Sequence, residues 1–160
     1  MLSGKWRVPT AVAATVIPLL FAGTAGADIA AKAPKSCKLL KPAEISSAFG
    51  MEASRGTQQG PDCTWQVGGL PLSLEVVTKD AKATYESLRD LAEDAGADPV
   101  KVNGVRDQVV FAQIPSFKEL LVLKGKTFLF LRLLDIEDTV DAATAQTAMT
   151  QLGKTAVKRV

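Results

Sequence analysis

The sequence predicts an α+β domain with an antiparallel sheet of about five strands and helices packed mainly on one face, in the order α-β-β-α-β-β-β-α. Two observations favour this class. Several stretches alternate apolar and polar residues, as half-buried strands do, and glycine turns separate them. Other stretches carry apolar residues at helical spacing, before, between and after the predicted strands.

The N-terminal segment, residues 1–27, has the three parts of a secretory signal peptide. Lys5 and Arg7 precede an apolar run over residues 11–22, which is shorter than the ~20 residues that a membrane span needs. Small residues follow and end in Ala-x-Ala, which predicts cleavage between Ala27 and Asp28. We therefore expect a soluble exported protein without a transmembrane segment, either secreted or retained in the periplasm or cell envelope.

The remaining chain divides into a flexible lead-in over residues 28–36 and one domain over residues 37–160. Of the 19 basic residues, Lys5 and Arg7 lie in the predicted signal peptide, which leaves 17 to balance the 17 acidic residues. Such a balance gives no electrostatic reason to bind nucleic acid or an anionic membrane surface.

Two cysteines, Cys37 and Cys63, predict one disulfide. An isolated pair in an oxidising compartment most simply forms a bridge, and this spacing differs from the Cys-x-x-Cys of redox-active pairs. Cys63 and Trp65 are two residues apart on a predicted strand, so both side chains point to the same face. We expect the bridge to lie against the indole and to pin the first helix over the sheet.

The first helix is short and is predicted from its ends. Pro42 suits the first helical position, Glu44 complements the positive helix end, and Gly50 supplies a C-terminal stop. Met51–Pro61 is polar and glycine-rich, which predicts a loop with room for a short strand at its start.

A hairpin is predicted next. Alternating residues over Cys63–Val67 and Leu70–Val77 flank Gly68-Gly69, a pair that can adopt the positive φ of tight hairpin turns. One face of this hairpin is apolar, and we expect it to face the core.

Two longer helices are predicted from apolar stripes. Asp80 is placed to cap the first, whose stripe runs from Ala81 to Ala95 before Gly96 ends it. Asp138 is placed to cap the second, which is expected to run to about Gly153 or beyond.

The segment between these helices is rich in β-strand patterns. Val100–Val102 and Gln108–Ile114, on either side of the Asn103-Gly104 turn, predict one or two strands. Leu120–Leu123 and Thr127–Leu134 are apolar on both faces, which is typical of strands in the middle of a sheet or covered on both sides.

Most catalytic chemistries are missing from the sequence. There is no histidine, and pairing of both cysteines leaves no thiolate for catalysis or metal binding. Neither nucleophile-elbow nor phosphate-binding motifs occur. We therefore predict a protein that is not an enzyme, with no catalytic residue, cofactor or metal. A carboxylate-dependent hydrolase stays open as an alternative, because two acids brought together by folding leave no local motif.

An acidic run, Asp135–Asp141, allows two interpretations. Several carboxylates suit calcium, but the run lacks the sixth-position glycine of an EF-hand loop, and Gln146 stands where the closing glutamate belongs. Acids at a helix start also offset the positive end of the helix dipole, and this interpretation is favoured.

Four aromatic residues are candidates for a ligand or interface surface: Trp65, Phe111, Phe128 and Phe130. The two-sided apolar strands near three of them are the reason to consider a carrier of a small apolar ligand. Ordinary core packing explains the same residues more simply.

The chain also resembles a group of small bacterial cell-envelope domains of unassigned function, many of them lipoproteins. The resemblance extends from Cys37 to the last helix and is carried by three motifs: Cys37-Lys38-Leu39-Leu40 with Pro42-Ala43-Glu44-Ile45 and Phe49-Gly50, then Cys63-Thr64-Trp65, then Val102-Asn103-Gly104-Val105-Arg106-Asp107. The lipidation cysteine of the lipoprotein members is absent here. The resemblance implies a two-cysteine α+β domain displayed outside the membrane.

Export, the predicted disulfide and the missing catalytic groups together favour a non-catalytic binding or structural module of the cell envelope. Its expected partner is another envelope protein or a surface component. The alternatives are the apolar-ligand carrier and the carboxylate-dependent hydrolase.

Overall fold

The computed structural model describes residues 35–97, 100–101 and 108–160. The predicted signal peptide with its Ala27–Asp28 cleavage site, most of the lead-in and the Asn103-Gly104 turn lie outside the described residues. A single 3-10 turn at Ser36–Lys38 precedes three helices and seven strands in the described part: α1 (Pro42–Phe49), β1 (Thr57–Gln59), β2 (Asp62–Val67), β3 (Leu70–Val77), α2 (Ala81–Asp94), β4 (Val100–Lys101), β5 (Gln108–Ile114), β6 (Phe117–Lys124), β7 (Thr127–Leu134) and α3 (Ala142–Val157).

The strands form one antiparallel sheet in the order β1-β2-β3-β7-β6-β5-β4. Strand β7 therefore occupies the centre, where Leu131 pairs with Leu74 of β3 on one side and with Leu120 of β6 on the other. All three leucines are fully buried. The two-sided apolar pattern of β6 and β7 is explained by this central position.

The prediction of about five strands and of their order is wrong, because the described residues form seven strands. The two additional strands are β1 and β4, one at each edge of the sheet. All of their residues are exposed, and they are three and two residues long. Strand β4 corresponds to Val100–Val102, the first of the two segments for which one or two strands were predicted. Strand β1 lies later in the 51–61 loop than the short strand expected at the start of that loop. A short exposed edge strand such as β1 pairs through backbone hydrogen bonds and needs no apolar alternation, so the sequence pattern did not locate it.

The helices are divided between the two faces of the sheet. Helices α1 and α3 pack on one face, over a large core that contains Leu120, Val122 and Leu129. Helix α2 packs on the opposite face, where Tyr85 meets Phe128. The expectation that helices lie mainly on one face thus holds for two of the three. Helix α2 packs on the opposite face because the alternate residues of β6 and β7 are also apolar and would otherwise be exposed to water.

The helix ends agree only in part with the predicted caps. Helix α1 begins at Pro42 and ends at Gly50, whose φ of 67° is left-handed, as predicted. Asp80 occupies the N-cap of α2, but its side chain makes no capping hydrogen bond. The prediction that Asp138 caps α3 is wrong: the cap is Asp141, and Asp138 belongs to the preceding loop.

The disulfide between Cys37 and Cys63 is present. Cys63 and Trp65 are both buried on the α1 face of β2. Gly56 passes directly over them, because a Cβ atom at Gly56 would lie 2.6 Å from the Trp65 Nε1 and 2.7 Å from the Cys63 Sγ. The sulfur and the indole therefore lie close together under the same backbone segment, as the two-residue spacing predicts.

This close approach makes Gly56 a sensitive position. We expect Gly56→Ala to lower the free energy of unfolding by about 1–3 kcal/mol, because the added methyl group overpacks the indole and the sulfur. Urea unfolding followed by tryptophan fluorescence measures the change. Without the overlap, alanine would raise stability by reducing the freedom of the unfolded chain. A gain in stability would therefore contradict the packing described here.

None of the helices in the described ranges is long and apolar enough to cross a membrane.

Candidate functional site

A cleft of about 740 Å³ opens on the α3 face of the sheet, near the turn between β5 and β6. Its walls come from the ends of these strands, from the loop between β7 and α3, and from the first turns of α3. The lining residues are Val100, Phe111, Gln113, Ile114, Pro115, Ser116, Lys118, Asp135, Ile136, Asp138, Ala142 and Gln146. A volume of this order is typical of small-ligand sites, which span about 300–1,000 Å³.

A buried ion pair forms one wall of the cleft. The Lys118 Nζ donates hydrogen bonds to Asp135 Oδ2 at 2.9 Å and to Asp138 Oδ1 at 2.6 Å. The side chains of Lys118 and Asp135 are 2% and 0% exposed, whereas that of Asp138 is 70% exposed. Burial opposes the charge on Lys118, but the hydrogen bonds to Asp138 and Asp135 outweigh it and hold the pKa of Lys118 above its usual value.

Asp135 also fixes the shape of the loop over residues 135–141, called the 135–141 loop below. Its Oδ1 accepts a hydrogen bond from the Thr139 N–H, and its Oδ2 accepts one from the Val140 N–H, both at 2.8 Å. Burial alone would raise the pKa of Asp135. The hydrogen bonds from Val140, Lys118 and Thr139 overcome this effect and lower the pKa to about 2. The carboxylate is therefore ionised at neutral pH and holds the loop closed.

The rim of the cleft exposes apolar side chains. Four large hydrophobic residues are exposed in the described part of the chain, and two of them, Ile136 at 73% and Val100 at 48%, line this cleft. The others are Leu91 on α2 and the C-terminal Val160. Apolar side chains that meet at one concave surface are typical of an interaction site, whereas single exposed ones are normal.

The acids of the 135–141 loop have separate structural roles. Asp135 and Asp138 pair with Lys118, while Asp141 caps α3, its Oδ1 accepting from the Thr144 N–H at 2.9 Å. No group of three or more potential metal ligands occurs in the ranges that the structure describes. The favoured interpretation, acids at a helix start, describes Asp141. Asp135 performs a task that the sequence did not reveal, since its partner Lys118 lies 17 residues away on the neighbouring strand β6.

The four aromatic candidates do not form one surface. Phe128 and Phe130 stack at 6.0 Å on the α2 face, and both are buried. Trp65 is buried on the opposite face beside the disulfide. Phe111 is also buried on that face, and it alone of the four lines the cleft.

A second polar feature lies on the α2 face of β2 and β3. Asp62 and Glu75 are direct partners across these strands, so two carboxylates stand side by side. Burial and the charge of Asp62 raise the pKa of Glu75, while Arg132 opposes the shift. The Asp62 Oδ1 is buried without a hydrogen-bond partner among the described residues. Neither carboxylate lines the cleft.

This pair predicts a pH-dependent effect. The raised pKa means that the folded state binds the Glu75 proton more tightly than the unfolded state does. Ionised Glu75 therefore lowers the free energy of unfolding at neutral pH. We expect Glu75→Gln to raise the free energy of unfolding at pH 7 by up to about 1 kcal/mol. The gain should shrink as the pH falls towards 4.5 and wild-type Glu75 becomes protonated.

Urea unfolding of both proteins at pH 7 and pH 4.5 tests this expectation. Glu52→Gln, at an exposed acid beside the β2–β3 turn, is the matched control and should change stability at neither pH. A gain from Glu75→Gln that is equal at the two pH values would show that Glu75 does not titrate as described.

Comparison with protein-family models, curated proteins and solved structures finds no match for this chain. The functional argument therefore rests on the geometry of the described residues.

Proposed function

We propose that this chain is an exported, non-catalytic binding module of the bacterial cell envelope, and that the cleft is its contact surface for a partner protein. The observation that carries the proposal is the rim of the cleft, where Ile136 and Val100 are exposed. Ile136 belongs to the 135–141 loop, which the hydrogen bonds of Asp135 hold in place. A surface held in one conformation before binding loses little entropy when a partner docks.

Export is supported by the disulfide, which persists in oxidising compartments. Export is also favoured by the signal-peptide pattern of residues 1–27 and by the resemblance to two-cysteine envelope domains. Protein recovered from outside the cytoplasm should have a mass that begins at Asp28 and no free thiols. Recovery of full-length, thiol-containing protein from the cytoplasm would contradict export.

A non-catalytic role is supported by the state of the polar groups at the cleft. Lys118 donates to Asp135 and Asp138, and Asp135 also accepts hydrogen bonds from two backbone N–H groups, so neither is free to serve as an acid, a base or a nucleophile. The sequence supplies no histidine to replace them.

A hydrolase is the second candidate, favoured by the Asp62–Glu75 pair. A carboxyl group with a raised pKa beside another acid is the arrangement that general-acid catalysis uses. The pair lies outside the cleft, which places this candidate after the binding module. If the protein shows a hydrolytic activity that Asp62→Asn abolishes while the fold is retained, the hydrolase becomes the better supported function.

A carrier of an apolar ligand would have to use the cleft, since β6 and β7 are covered on both faces.

Site-specific photo-crosslinking in native cells tests the binding module. A benzophenone side chain at Glu137, an exposed position next to Ile136, should give a defined adduct with one envelope protein. The same group at Glu52 is the control, because Glu52 is exposed near the opposite edge of the sheet. Adding Ile136→Ser to the Glu137 variant should abolish the adduct. Identical adducts from both positions, or none from Glu137, would contradict the proposal.

A further inference from the structure

We infer that the cleft binds a protein segment in which an aliphatic or aromatic side chain lies next to a lysine or arginine. This inference rests on the proposed function and adds the chemistry of the partner. It is drawn from the charge of the cleft, the apolar surface inside it and the polar groups on its walls.

Among the described residues that line the cleft, two carboxylates face one cation. Lys118 is the one cationic side chain of this described lining, and it contacts both Asp135 and Asp138. Asp138 is 70% exposed and uses Oδ1 for Lys118, while its Oδ2 has no hydrogen-bond partner among the described residues. Glu137, also exposed, precedes it in the loop. An incoming cation would meet a carboxylate that is accessible and already oriented.

The same surface offers an apolar contact. Phe111 is buried on the inner wall, and Pro115 lies at the β5–β6 turn. Ile136 and Val100 stand exposed at the rim. An aliphatic or aromatic side chain that entered between them would contact Phe111 and remove Pro115, Ile136 and Val100 from water, which is how anchor residues act in protein interfaces.

Polar groups on the walls suit a peptide backbone. Gln113 and Gln146 line the cleft, and each side-chain amide can both donate and accept a hydrogen bond. Gln113 lies on β5 and Gln146 on α3, so regular secondary structure fixes the backbone positions from which both amides project. Acidic segments, nucleic acids and anionic lipids would each bring a like charge against Asp138, which disfavours them.

Binding of designed peptides, followed by NMR of the intact disulfide-bonded protein, tests this inference. One capped peptide contains Lys-Phe-Arg between Gly-Ser flanks; a second replaces both basic residues with glutamate; a third replaces phenylalanine with serine. We expect the first to shift the amide signals of Gln113, Ile136 and Gln146, and to bind about tenfold more tightly than the other two. Its affinity should fall as salt is raised.

Three variants locate the binding. Ile136→Ser should weaken the Lys-Phe-Arg peptide about tenfold, and Glu137→Lys should weaken it several-fold through charge reversal. Glu52→Lys makes the same charge reversal far from the cleft and should leave the affinity unchanged. Ile136 at the rim and its neighbour Glu137 are both exposed, so these variants are expected to fold, and their amide spectra verify this.

Several outcomes would overturn the inference. One is equal binding of the acidic peptide, another is shifts confined to other parts of the protein, and a third is self-association of the chain through Ile136. Occupation of the cleft by an apolar dye that no peptide displaces is a fourth. If photo-crosslinking from Glu137 captures a partner whose contacting segment lacks lysine and arginine, the partner chemistry is wrong while the binding module stands. If crosslinking from Glu137 captures no protein but the Lys-Phe-Arg peptide binds, the proposed envelope partner is wrong while the inferred chemistry of the cleft stands.

Discussion

Replacing Asp135 with alanine should lower the free energy of unfolding by about 3–5 kcal/mol, because it leaves a buried ammonium group without its buried counter-ion. The Thr139 and Val140 N–H groups would also lose their acceptor. Chemical denaturation at pH 7 measures the loss. The Lys118–Asp135 pair is thus expected to be the most sensitive polar contact of the fold.

Asp138→Ala is the matched control for Asp135→Ala. It removes the second carboxylate from the same Lys118 Nζ, but the Asp138 side chain is 70% exposed, so the loss should be about 1 kcal/mol or less. A double-mutant cycle with Lys118→Met gives the coupling directly. Removing both buried charges should cost less than the sum of the two single variants. Equal losses from Asp135→Ala and Asp138→Ala would contradict the burial described for this pair.

Removing the disulfide is the second change with a large expected effect. The bridge joins residues separated by 26 positions. Closing a loop of that size stabilises the folded state by ~3–4 kcal/mol, chiefly by restricting the unfolded chain. We expect Cys37→Ala/Cys63→Ala to lose about that much. Alanine is preferred to serine because Cys63 is fully buried beside Trp65, and a hydroxyl group there would lack a partner.

Thermal unfolding of the double variant, compared with wild type before and after reduction, measures this loss. Reduced wild type and the double variant should melt together and well below the oxidised protein. A double variant that melted with the oxidised protein would show that the bridge does not contribute to stability.

The elements predicted well from the sequence were those with a strong local pattern. Pro42 and Gly50 marked α1 because capping depends on neighbouring residues. The Gly68-Gly69 turn marked the hairpin because both glycines adopt positive φ, at 57° and 89°. The edge strand β1 was not predicted at its observed place because an exposed three-residue segment such as Thr57–Gln59 has no apolar period.

The cleft could not be predicted, because its charges come from distant parts of the chain. Lys118 interrupts an apolar stretch, and β6 was expected to begin only at Leu120. The strand begins at Phe117, since Lys118 and Glu119 are both paired after folding, the latter with Arg132 at 2.7 Å. Lysine and glutamate are mostly exposed in proteins, so this Lys-Glu pair gives no local sign that its charges are buried or which residues they contact.

The central place of β7 has a consequence for the order in which the chain can fold. During synthesis, β3 emerges before β7, and the two are separated in sequence by α2 and three other strands. Until β7 arrives, Leu72, Leu74 and Val76 lie on a strand whose outer backbone edge is bare. An early β1–β3 unit would therefore be prone to pair with other chains through this edge. A chaperone or rapid transport of the nascent chain would protect it from aggregation.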